Sequence, residues 1–152
     1  MQTTRYSADD EMELMSRLWT PAIKDDPLKF VLFVFPWGQP GTPLEHFDGP
    51  RKWQRQVLQR MADHVKQNNG KIDFDTLRMA TSSGRGIGKS ALVSWLVIWM
   101  LTTRIGSTTI VSANSEAQLR SITWAEITKW LSMALNSHWF EVSAPRLMPA
   151  KW

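Results

Sequence analysis

Residues 81–90 read Thr-Ser-Ser-Gly-Arg-Gly-Ile-Gly-Lys-Ser and lie between a short alternating run and a long apolar one, a placement that restricts the fold more than any other feature. Residues 76–81 alternate polar and apolar side chains after turn-forming residues, as a buried strand does. Residues 91–101 read as a helix. A glycine-rich turn from strand to helix gathers backbone N–H groups where the helix start adds partial positive charge, and so cradles phosphate oxygens. Gly84, Gly86 and Gly88 would let the backbone approach a phosphate closely, within a loop completed by Ser83, Arg85 and Ile87. Lys89 is placed to reach the β and γ phosphates of a nucleotide, and the Ser90 hydroxyl to ligate Mg²⁺. The pattern G-x-x-x-x-G-K-[ST] is met except at Ser83, where it has glycine. The competing reading is a flexible Gly/Ser linker that happens to contain Gly-Lys-Ser, but linkers do not usually run straight into an apolar helix.

After that helix, Gly106 turns the chain into residues 107–112, a β-branched stretch that reads as a second strand. Strand, loop, helix and strand make a βαβ unit, so the two strands are expected to be parallel with a right-handed crossover. The predicted class is therefore α/β, a parallel sheet flanked by helices. Residues 1–49 form a helical and loop lead-in, and 50–152 the first part of a phosphate-loop domain.

In the lead-in, Ser7 and Asp10 suggest a capping box opening a helix to about residue 19, with Met12, Met15, Leu18 and Trp19 along one face and Pro21 ending it. Asp26 and Pro27 could open a second helix, yet residues 30–35 could equally be a strand. The stretch 36–50 holds four prolines and three glycines and reads as a loop held by Trp37, Leu44 and Phe47. A helix is expected over 51–68, closed by Asn69 and Gly70. Ser115 and Gln118 form another capping box, opening a helix through 135 with Leu119, Ile122, Ile127, Trp130, Leu131 and Ala134 at helical spacing. Asn136 is a plausible stop, and the tail from 138 has no clear pattern.

Within the 51–68 helix, Trp53 and Gln54 stand one helix and one strand ahead of the phosphate loop. A glutamine amide both donates and accepts, so Gln54 could read the N6/N7 edge of adenine. Taken alone, a helical glutamine is ordinary solvated surface. Nine tryptophans could form a stacking platform for bases, but Trp95, Trp99, Trp124 and Trp130 fall within helical patterns and fit a core better. Residues 1–50 carry four Lys/Arg against eight Asp/Glu, whereas 51–152 carry fourteen against six. The basic half suits nucleic acid, or equally solvated charge plus ligands for a nucleotide. The absence of cysteine excludes disulfides and thiolate metal sites and fits a reducing cytoplasm.

A nucleotide-hydrolysing site needs a strand ending in a carboxylate to organise Mg²⁺ and a second carboxylate to orient water. Downstream of Lys89 the acids are Glu116, Glu126 and Glu141, and none ends an apolar run. The chain is therefore expected to bind nucleotide but to hydrolyse it poorly alone, as a piece of a longer enzyme or a domain completed by another polypeptide.

The chain from about residue 26 resembles the N-terminal part of the ATPase domain of tailed-bacteriophage terminase large subunits, motors that package DNA into procapsids. The resemblance rests on Phe35-Pro36-Trp37-Gly38, on Gly49-Pro50-Arg51-Lys52-Trp53-Gln54, on residues 83–90 and on residues 111–118. It implies a RecA-like P-loop ATPase fold and the cofactors ATP and Mg²⁺. Trp53 and Gln54 then match the adenine motif, Lys89 and Ser90 the Walker A lysine and hydroxyl, and Arg85 the loop arginine near the γ-phosphate, so that Arg85 and Lys89 are the catalytic candidates. Residues 111–118 would couple nucleotide state to DNA contact. It further implies double-stranded DNA, a portal protein and a small terminase subunit as partners, a homo-oligomeric ring, and the host cytoplasm. The family's Walker B motif, coupling motif and nuclease have no counterpart in this sequence. A two-lobed nucleic-acid helicase fragment and a non-enzymatic binding module are the competing readings.

Overall fold

The element around which the others gather is a helix apolar on every side, and its sequence explains why. The computed structural model describes residues 6–150 apart from 70, 72, 73, 87 and 145. Among them α5, Lys89–Thr103, buries Leu92, Trp95, Ile98 and Trp99 together with Ala91, Val97, Thr102 and Thr103. A helix hydrophobic all round must be enclosed, and α5 packs against α3 (Pro27–Val34) and α7 (Ala125–Met133). Two of its hydroxyls are satisfied locally, Ser94 Oγ donating to the Ser90 carbonyl at 2.7 Å and Thr103 Oγ1 to that of Trp99 at 2.7 Å.

The other helices are α1 (Ala8–Leu18), α2 (Pro21–Lys24), α4 (Lys52–Asn68) and α6 (Glu116–Gln118). Ser7 caps α1 as expected: its hydroxyl accepts from the Asp10 amide, while the Asp10 carboxylate accepts from the Ser7 hydroxyl and N–H. Those two bonds hold the Asp10 carboxyl below its ordinary pKa. Met12, assigned to the inner face, is instead 64% exposed, and Leu18 carries the contact. Residues 30–35, open between helix and strand, fall mostly within α3. Asp26 caps α3 by accepting from the Lys29 amide at 3.1 Å, and Pro27 occupies its first turn. The loop 36–50 is ordered by Trp37 Nε1 donating to the Val31 carbonyl and by buried Leu44, whereas Phe47 lies outside. The expected end of α4 at Gly70 lies outside the described residues.

The α/β reading is overturned. The described residues contain one sheet, an antiparallel hairpin of β1 (Phe140–Ser143) and β2 (Arg146–Pro149), and no parallel pair. Neither 76–81 nor 107–112 is a strand, so the parallel sheet flanked by helices, the right-handed crossover and the RecA-like P-loop fold are not formed. The physical reason is burial. Parallel strands persist only with both faces covered, and here Thr76, Arg78, Met79, Ala80 and Thr81 are all exposed, as is Ile110 at 86%. A β-branched or alternating run states a preference, but a ladder requires a covered partner.

The expected helix over 115–135 is present but interrupted. Ser115 caps it by accepting from the Gln118 amide, and a π-helical segment, Leu119–Trp124, joins α6 to α7. The wider turn shifts the register, leaving Ile122 exposed while Ile127, Trp130 and Leu131 are buried. Helix α7 ends at Met133, ahead of the expected stop at Asn136, which is fully buried and donates to Thr102 Oγ1 at 2.9 Å.

Trp95, Trp99 and Trp130 are core residues as expected, while Trp124 is only half-buried. Trp95 and Trp130 meet edge-to-face at 5.1 Å, Trp37 lies 5.9 Å from Trp95, and Phe35 packs against Trp130 at 5.1 Å. Such pairs add about 0.5–1.5 kcal/mol beyond the area they bury.

Candidate functional site

The site is built on the start of α5. Its N-cap is Gly88, in a left-handed conformation (φ 93°), and the first turn has no side-chain cap and no acidic residue. The amides that open a helix lack intrahelical acceptors, so this start presents donors and partial positive charge outward. Two further glycines shape the approach. Gly86 has φ 74° with open space where a Cβ would stand, and Gly84 is likewise unobstructed. Gly88 is constrained twice over, because a Cβ there would also lie 2.5 Å from Gln54 Nε2.

Lys89 closes the loop. Its Nζ donates to the Ser83 carbonyl at 3.0 Å, six residues back, so the ammonium spans the loop that precedes the helix. Ser83 Oγ is buried and has no hydrogen-bond partner among the described residues. Arg85 is exposed. The half-buried Ser90 offers a hydroxyl that makes no hydrogen bond among the described residues. Ile87 lies outside the described residues.

Gln54, expected to read adenine, lies beside the loop with its amide engaged inside the protein. It is 3% exposed, and both ends of its amide are taken: Nε2 donates to the Gly88 carbonyl at 2.8 Å, and Oε1 accepts from the Arg51 backbone N–H at 2.8 Å. The second bond caps the start of α4, and the first ties α4 to the start of α5. Trp53 packs half-buried against the core. The sequence therefore places Gln54 beside the loop, and the geometry makes it a strut.

Arg51 is a site residue that the sequence reading did not single out. Its Nη1 donates to the Gly86 carbonyl at 3.2 Å across 35 residues of chain. Arg51, Arg85 and Lys89 thus set three cations around the loop. The signals available in sequence were its position three residues before Gln54 and its place in the 49–54 motif.

The arrangement can bind an anion: an uncapped helix start follows a glycine-bearing turn that Arg51 and Lys89 hold through its carbonyls and that carries the exposed Arg85. Of the expected groups, Mg²⁺ would fall to Ser90; no group of three or more His, Cys, Asp or Glu capable of holding a metal occurs among the described residues. No helix among the described residues is long and apolar enough to cross a membrane. No family model, no curated protein and no solved structure matches the chain.

Proposed function

We propose that the loop 83–90 binds the polyphosphate of ATP, and that the chain does so as the nucleotide-binding portion of a DNA-packaging motor of the terminase kind. The observation that carries the reading is the uncapped start of α5 with Lys89 folded across it onto the Ser83 carbonyl. A protein anion at that start would fill the site; instead every charged side chain named there is a cation.

On this reading the amides of the first turn of α5 receive phosphate oxygens, and Lys89 exchanges the Ser83 carbonyl for the β and γ oxygens. Ser83 Oγ gains the partner it lacks. Arg85, exposed on the loop, offsets charge that develops on the γ-phosphate. Mg²⁺ would be held by the Ser90 hydroxyl with phosphate oxygens and would neutralise part of that charge. Arg51 and Gln54 hold the loop in shape. Double-stranded DNA remains the proposed macromolecular partner, supported by the basic excess of residues 51–152 and by the terminase-like motifs. ATP turnover, ring assembly and the portal and small-subunit partners belong to the proposed packaging protein as a whole.

Titration calorimetry of Mg-ATP against the folded chain and Lys89→Ala tests the reading. Saturable binding is expected, weakened in the variant by roughly 10- to 100-fold, the loss of a charged hydrogen bond of about 1.5–3 kcal/mol. Equal affinity in both proteins, with unchanged circular dichroism, would sink it.

A further inference from the structure

On the other side of α5's length from its first turn, its C-terminal half helps enclose a cavity of about 680 Å³. The cavity falls in the size range of ligand sites. Leu101, Trp124, Ile127 and Trp139 give it apolar walls, and Arg104, Arg120 and Arg146 are the charged residues lining it, with no carboxylate among them. Arg104 is already paired with Asp25 at 3.0 Å, both largely buried. Arg120 pairs with Glu116 in full solvent, a contact that contributes little, and Arg146 makes no ion pair among the described residues.

One wall is the stretch 107–113. Its residues alternate half-buried and exposed without a break, from Ser107 to Ala113, and the half-buried Ser107, Thr109 and Val111 line the cavity together with the exposed Thr108. Period two is the signature of a strand, and the β-branched sequence Thr-Thr-Ile-Val suits one. Yet no backbone group of 108–113 is hydrogen-bonded among the described residues, and Thr109 Oγ1 is buried without a partner. Among the cavity's lining residues Ile105 and Met148 are large apolar side chains left exposed.

We propose that residues 108–113 are a docking edge for an extended segment of a partner polypeptide, apolar at alternate positions and acidic between them. Three features select that occupant. An unpaired backbone with strand periodicity is completed by another strand, and by no small molecule. Alternate apolar side chains of the incoming strand fill the cavity. The intervening carboxylates meet Arg120 and Arg146, the cations not held by a buried acid.

A synthetic eight-residue peptide alternating valine and glutamate, titrated into the intact chain, tests this by hydrogen exchange and tryptophan fluorescence. The expected result is saturable protection, at least tenfold, of the amides of 108–113, with a fluorescence change from Trp124 and Trp139. N-methylating alternate peptide amides should abolish both, and exchanging its glutamates for lysine should weaken binding at least tenfold. Three results would overturn the proposal. One is no protection at millimolar peptide, and another is undiminished binding of the N-methylated peptide. The third is protection that rises with protein concentration alone, which would make a second copy the occupant.

Discussion

Gln54 shows how far one residue's role depends on where its side chain ends. Both polar atoms of its amide are spent inside the protein, on the Gly88 carbonyl and the Arg51 N–H. Gln54→Ala leaves two part-buried backbone groups without partners, costing about 1–3 kcal/mol of stability. Because the lost bonds shape the loop rather than touch a base, the variant should lose affinity for ATP and GTP by the same factor. Calorimetry with both nucleotides decides the matter, and a loss confined to ATP would restore adenine reading to this residue. The sequence brought Gln54 and the glycine turn to attention together, and the two are in contact through the Gly88 carbonyl. It could not say that the amide points inward, because burial of Gln54 follows from a contact 34 residues away.

At the scale of elements, what was legible was what is decided locally. Helix starts are of this kind: Ser7, Asp26 and Ser115 each accept from the amide three residues on. The cap is chemistry among four consecutive residues. The parallel sheet was misread because alternation in 76–81 and 107–112 is a local signal for a non-local object. The hairpin of β1 and β2 was missed for the converse reason, its strands being short and its connection free of the usual hairpin turn residues. Asp26 is the cap whose loss should be felt most. It is 3% exposed, caps α3 and also accepts from Lys66 Nζ of α4 at 3.5 Å. Asp26→Ala should lower unfolding free energy by about 1–2 kcal/mol, read as a shift in urea midpoint at constant slope. Asp26→Asn keeps the cap but loses the charge facing Lys66, and should recover most of the loss. If Asn proves as damaging as Ala, the ion pair and not the cap is the dominant contribution.

Across the whole molecule, the two ends of the described chain are fastened to each other through one carboxylate. Glu11 on α1 accepts from Trp139 Nε1 at 2.8 Å and is bonded to His138 Nε2, while Tyr6 stacks on the His138 ring at 4.2 Å. Trp19 adds a tilted contact with Trp139 and donates from its own Nε1 to the Thr102 carbonyl at the end of α5. The N-terminal helix, the end of α5 and the turn leading into the hairpin therefore share one knot. No sequence pattern announces it, since Glu11 and Trp139 lie 128 residues apart. Glu11→Ala removes the acceptor for two part-buried groups and should uncouple both ends at once. Amides of α1 and of β1–β2 should lose hydrogen-exchange protection by the same factor, about 10-fold or more for a loss of about 1–3 kcal/mol. Protection in the middle of α5 should change less, because Trp95 and Ile98 are held by α3 and α7 instead. The start of α5 should also keep its affinity for Mg-ATP, since the knot binds the far end of that helix. Loss of protection in α1 alone would show that the hairpin is held by its own contacts, and that Glu11 anchors only the helix that carries it.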